Sequence, residues 1–152
     1  MQPPEATDVE VHRFFRAARE RVFDAWTPPE LIKQWNTRAG VAATIAEVDL
    51  RVGGRYRLDL CGPDGRVHRV EGVYRVVESP ARLSYTWCSD TDSAGHESLV
   101  TVEFRDCNGG TEVSVRHERL STPATQGRHA NGWHACLLQL EQLLMENEWS
   151  TT

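Results

Sequence analysis

No run of 18 apolar residues occurs anywhere in the chain, so no helix is expected to span a membrane. Lysine is nearly missing. Lys33 stands alone beside sixteen arginines, and the net charge is −5. The arginines are scattered, and the concentrated basic face that phosphate backbones require is lacking. Nucleic acid is therefore not an expected partner. Cysteine is sparse too. Cys61, Cys88, Cys107 and Cys136 lie far apart, and no pair has C-x-x-C spacing. Free thiols are expected, with no zinc site. Gly53-Gly54 is not followed by Gly-Lys-Ser/Thr, which excludes a phosphate loop. Asp90, Asp92, His96 and Glu97 fit no metal-ligand spacing and read as a solvated loop. The expectation is no metal and no cofactor. Met1-Gln2-Pro3-Pro4-Glu5 has neither a basic nor an apolar leader region, so secretion is not expected and a cytoplasmic location is.

The most informative stretch lies near the C-terminus, over residues 122–146. Thr122 can act as N-cap, and Pro123 suits a first helical position. Trp133, Leu137, Leu140 and Leu144 recur at helical spacing, and Leu138, Leu143 and Met145 widen the stripe. Some 25 residues would run about 37 Å at 1.5 Å per residue. So long an apolar stripe needs a large partner, and no second helix of that size is encoded. Gly132 interrupts the helix at a cost of roughly 1 kcal/mol against alanine. It reads either as a close helix–sheet contact or as room for a ligand.

The rest of the chain supplies the partner. Residues 9–15 read as a strand. A short helix over residues 17–26 follows, with Ala18, Val22, Ala25 and Trp26 on one face. Thr27-Pro28-Pro29-Glu30 reads as a capping box that starts a second helix bearing Leu31 and Trp35. Six strands come next, near residues 43–48, 55–60, 67–77, 83–88, 100–105 and 113–117. Period-two alternation marks them, as in Tyr56, Leu58 and Leu60. Gly62-Pro63-Asp64-Gly65 and Asn108-Gly109-Gly110 are turns. Tight turns between sequential strands give an antiparallel meander, and the long helix covers its apolar face. With 152 residues, 39% of them hydrophobic and 26% charged, one α+β domain over 1–152 is expected.

Several blocks resemble a known family. Phe15-Arg16-Ala17-Ala18-Arg19-Glu20-Arg21-Val22-Phe23-Asp24-Ala25-Trp26-Thr27-Pro28-Pro29-Glu30-Leu31, then Trp35, is similar to its N-terminal signature. Gly53-Gly54-Arg55-Tyr56-Arg57, Pro80-Ala81-Arg82-Leu83-Ser84-Tyr85-Thr86-Trp87 and Gly110-Thr111-Glu112-Val113 with His117 follow in order. Gly132-Trp133 and Leu140 complete the set. The chain is identified as a member of the activator of heat-shock protein 90 ATPase homologue-like family, in the START-like, helix-grip (SRPBCC) superfamily. The resemblance covers about residues 8–146. The family usually has Ala-Pro after the first strand, where this chain has Ala17-Ala18. The resemblance implies a curved antiparallel sheet of six to seven strands gripping the long C-terminal helix, with an elongated cavity between them. A ligand-sized cavity would hold roughly 300–1,000 Å³.

The candidate ligand-binding set is Trp35, Tyr56, Leu58, Tyr74, Tyr85, Trp87, His117, Gly132 and Trp133. Parity aims most of the aromatics at the helix, where they are either core or a pocket wall with phenol donors. His117 shares a face with Val113 and Val115. It reads as a structural histidine or as the principal inward polar group of the cavity. His129 and His134, five apart, do not share a helix face. The expected partner is a small hydrophobic molecule, and a homodimer is left open. An enzyme of the cyclase or dehydratase kind, with His117 and a cavity tyrosine as acid and base, is the alternative. A chaperone ATPase co-regulator ranks behind both. Parity places no carboxylate inward on the strands at residues 56–60, 83–87 and 113–117, which favours binding over catalysis.

Overall fold

The computed structural model describes residues 8–36, 41–90, 96–120 and 123–150. The chain runs β1 (Val9–Phe15), α1 (Arg19–Ala25), α2 (Pro29–Trp35), β2 (Ala42–Val48), β3 (Arg55–Cys61), β4 (Val67–Glu78), β5 (Arg82–Ser89), β6 (Ser98–Cys107), β7 (Gly110–Glu118) and α3 (Pro123–Ser150). The strands form one seven-stranded antiparallel sheet in the order β1-β7-β6-β5-β4-β3-β2. Strands β2 to β7 are a meander, as tight turns dictate. The α1–α2 hairpin carries the chain from one sheet edge to the other. Register shifts in β2–β3 and β4–β5 add local bends. The curled sheet and α3 together make a helix-grip fold.

The α3 stripe is where its spacing predicts. Trp133, Leu137, Leu140 and Leu144 are buried, and Cys136 and Leu143 lie with them. They pack with Val100, Val102, Val113 and Val115 of the central strands in one core. Leu138 and Met145 correct the reading of a wider stripe, because both are exposed. The 100° step per residue turns Leu138 away from the sheet, and Met145, seven on, follows it. Polar links fix the helix on the sheet. Arg13 Nε of β1 donates to Glu141 Oε1 at 3.1 Å, and Arg21 of α1 bonds the Leu144 carbonyl.

The Thr27 capping box does not form. Pro28 is the N-cap, with extended backbone and no side-chain cap, and Pro29 opens α2. A residue that precedes proline is pushed out of the helical region, so Pro28 cannot be helical and the start slides one residue on. In the same way α1 begins at Arg19, after an extended Ala18. Its buried face is Val22, Phe23 and Ala25, with Phe23 edge-on to Phe104 at 5.3 Å. The proposed Thr122 cap and Asp92 fall outside the described residues.

Gly72 of β4 shows why one strand position near the cavity carries no side chain. A Cβ there would lie 1.9 Å from the Thr86 carbonyl oxygen and 2.8 Å from Tyr56 Cε2. The missing side chain lets the Tyr56 ring lie across β4, where its hydroxyl donates to the Thr86 carbonyl. Gly72→Ala is expected to destabilise by about 1–3 kcal/mol through overpacking. Chemical denaturation checks this, and an unchanged midpoint would contradict the close approach.

Candidate functional site: an aromatic cavity under the long helix

Between α2, α3 and the inner face of β2 to β5 lies a cavity of about 260 Å³. It is just under the expected size range. Trp35, Tyr56, Leu58, Tyr74, Tyr85, Trp87, Gly132 and Trp133 line it. His117 does not. Strand parity brings the three tyrosines to one place. Tyr74 of β4 is directly paired with Tyr85 of β5, and Tyr56 of β3 adjoins them. Their rings sit edge to face or tilted, with centroids 5.3–5.7 Å apart. Indoles make the opposite wall. Trp26 lies 4.8 Å from Trp35 and stacks on Trp133 at 6.3 Å.

Burial raises the hydroxyl pKa of Tyr74, Tyr85 and Tyr56, so all three are neutral donors at ordinary pH. Most aromatic donors in this wall are already used by the fold. Trp35 Nε1 donates to the Ala25 carbonyl at 3.0 Å, and Trp26 Nε1 to the Tyr85 hydroxyl at 3.3 Å. Trp133 Nε1 donates to His117 Nδ1 at 3.2 Å.

His117 is fully buried behind that wall, with Trp87, His129 and Trp133 in front of it. Its two ring nitrogens are both engaged. Since Nδ1 accepts from Trp133, the ring proton sits on Nε2, which donates to Ser98 Oγ at 2.7 Å. Ser98 in turn donates to the Trp87 carbonyl at 3.2 Å. Desolvation, with His129 nearby as a smaller cause, lowers the His117 pKa to about 2. The expectation that His117 is the principal inward polar group of the cavity is corrected. Parity aimed it at the helix correctly, but the rings of Trp87, His129 and Trp133, which line the cavity themselves, stand over it. It holds the Trp133 indole and Ser98 instead.

The polar groups on the cavity wall are others, among them Asn36, His68, Ser89, Arg128 and His129. Sequence reasoning passed over His129, although its signal was present. It stands four residues before Trp133 and so shares that face of α3. Its ring centroid is 4.6 Å from that of His117. His134 is exposed, as the five-residue spacing predicts. No aspartate or glutamate is in the lining. The buried carboxylate of β3, Asp59, takes hydrogen bonds from Arg57 and Arg69. Among the described residues no group of histidine, cysteine, aspartate and glutamate is placed to hold a metal, and no helix is long and apolar enough to cross a membrane.

The geometry matches known proteins. The family profile described as activator of Hsp90 ATPase homolog 1-like protein matches residues 16–145. The chain is similar to a crystal structure of a Chromobacterium violaceum protein, with 26% identity over 90% of this chain and 96% of the other, at a TM-score of 0.82. A Rhodobacter sphaeroides protein gives 27% identity over 95% and 96% of the two chains, at a TM-score of 0.82. An AHSA1-like protein of Aeromonas hydrophila gives 27% over 93% and 94%, at a TM-score of 0.77. No curated protein matches the chain. With its family blocks, its seven-stranded sheet and its gripped helix in agreement, the chain belongs to the activator of Hsp90 ATPase homolog 1-like family, within the SRPBCC superfamily.

Proposed function

We propose that this chain works as one START-like domain, located in the cytoplasm, that binds a small, largely apolar molecule in the cavity under α3. The observation that carries the reading is the cavity itself, walled by Trp26, Trp35, Tyr56, Tyr74, Tyr85, Trp87 and Trp133. Aromatic and aliphatic walls with a few fixed polar groups are the usual make-up of an apolar ligand site. Binding is favoured over catalysis. A cyclase-like mechanism through His117 would need that ring at the cavity surface and able to take a proton. It is instead sealed behind Trp133 and held neutral.

The test uses a fluorescent apolar probe, N-phenyl-1-naphthylamine, and native mass spectrometry of the purified protein. Leu58 is buried, lines the cavity and makes no polar bond, so Leu58→Trp fills the space from the sheet side. The wild type is expected to bind the probe, and Leu58→Trp to bind it at least tenfold more weakly with its fold retained by circular dichroism. Equal binding by the two proteins would remove the cavity as the site.

A further inference from the structure

The donors of the cavity wall divide into two sets. Trp26, Trp35, Trp133 and Tyr56 each give their proton to an acceptor inside the fold. Tyr74, Tyr85 and Trp87 do not. The Tyr74 main chain bonds Gly53 and Gly54, while its hydroxyl makes no hydrogen bond with any described residue. The Tyr85 hydroxyl accepts from Trp26 and, among the described residues, gives its own proton to none. Trp87 Nε1 is buried and has no acceptor. Leaving a buried donor unsatisfied is costly, and native folds rarely do it without a reason. Of the cavity-lining residues, Trp87 carries such a buried donor, and Tyr74 and Tyr85 carry hydroxyl protons that no described residue accepts; these two are directly paired residues of neighbouring strands with ring centroids 5.7 Å apart.

We infer that the ligand is a compact aromatic or alicyclic ketone-type molecule whose carbonyl oxygen is received by the Tyr74 and Tyr85 hydroxyls. The inference rests on the binding reading above and narrows it. A carbonyl oxygen has two lone pairs and can accept from two donors at once, while contributing no proton that would need an acceptor. A ligand rich in donors, such as an amine, is disfavoured, because both phenols stay neutral and no carboxylate lines the cavity to receive it.

Matched pairs test this: 1-tetralone against tetralin, and 9-fluorenone against fluorene. Each pair differs by one carbonyl oxygen on nearly the same carbon skeleton. Affinities are measured by equilibrium dialysis with wild type and Tyr74→Phe. The Tyr74 hydroxyl has no hydrogen bond with a described residue to lose, so this variant keeps the sheet intact. Tyr85→Phe serves as the second variant, with thermal melts as the control for folding. The expected result is that Tyr74→Phe weakens the ketones by about tenfold while leaving the hydrocarbons unchanged, the size of one good hydrogen bond. Ketone and hydrocarbon affected alike, or neither affected, would overturn the inference and leave the binding reading in place. Failure of all four compounds to bind wild type would count against both.

Discussion

Trp133→Ala is expected to lower the stability of the domain by about 3–5 kcal/mol, the cost of truncating a large buried aromatic. The indole is 6% exposed and stacks on Trp26 at 6.3 Å, with the tilted Trp87 ring 5.9 Å away. It therefore joins the α1–α2 hairpin, the sheet and α3 in a single contact. Its N–H is also the donor that holds His117 Nδ1. Removing it leaves a void and a buried ring nitrogen without a partner, and the two costs add. One feature pulls the other way. Trp133 already borders an open cavity, so part of its surface has no packing to lose, and the value should fall in the lower half of the range. Urea denaturation followed by far-ultraviolet circular dichroism gives the number. A loss below about 1 kcal/mol would mean that this face of α3 does not hold the core.

Acidification should weaken the fold through His117 well before the carboxylates titrate. The ring is neutral in the folded state, with its pKa lowered to about 2, against 6.5 for a free histidine. Between those values the unfolded chain binds a proton that the folded chain refuses, so stability rises with pH across this window and falls as pH drops below 6.5. The linkage amounts to about 2 kcal/mol lost at pH 5 relative to pH 8. The comparison that isolates His117 is with a variant. His117→Gln can accept from Trp133 through its amide oxygen and donate to Ser98 through its amide nitrogen. It should be less stable than wild type at pH 8 but lose about 2 kcal/mol less between pH 8 and pH 5. Parallel curves for the two proteins would show that His117 carries no protonation linkage.

The elements that announce themselves by period were legible. The α3 stripe is read from four residues at spacings of four, three and four, and β3 from the alternation of Tyr56, Leu58 and Leu60. These periods are set by backbone geometry and survive any tertiary arrangement. Helix starts were less legible. Pro28-Pro29 satisfies a capping pattern as letters, but the steric effect of Pro29 on the residue before it decides the actual start. The width of the α3 stripe was overread at Leu138 and Met145, since a leucine or methionine on a helix surface carries no mark of its own exposure.

The site divides along the same line. Which face each strand residue occupies follows from parity, and that placed Tyr56, Leu58, Tyr74, Tyr85 and Trp87 on one wall of the cavity. Depth within that face does not follow from parity. His117 shares its face with Val113 and Val115, yet only the packing of Trp133, Trp87 and His129 over it turns a candidate cavity group into a sealed, neutral link between the Trp133 indole and Ser98. The division of the aromatic donors into satisfied and unsatisfied ones is likewise invisible in the chain. Trp26 reaches Tyr85 across 59 residues, and Trp133 reaches His117 across 16. By itself the sequence determined the fold class, the family and the side of the sheet that faces the helix, because these rest on local periods and ordered blocks. Only the tertiary structure decided which inward groups meet open space and which hydrogen-bond donors are left for something else to bind, because both depend on three-dimensional distances between residues far apart in the chain.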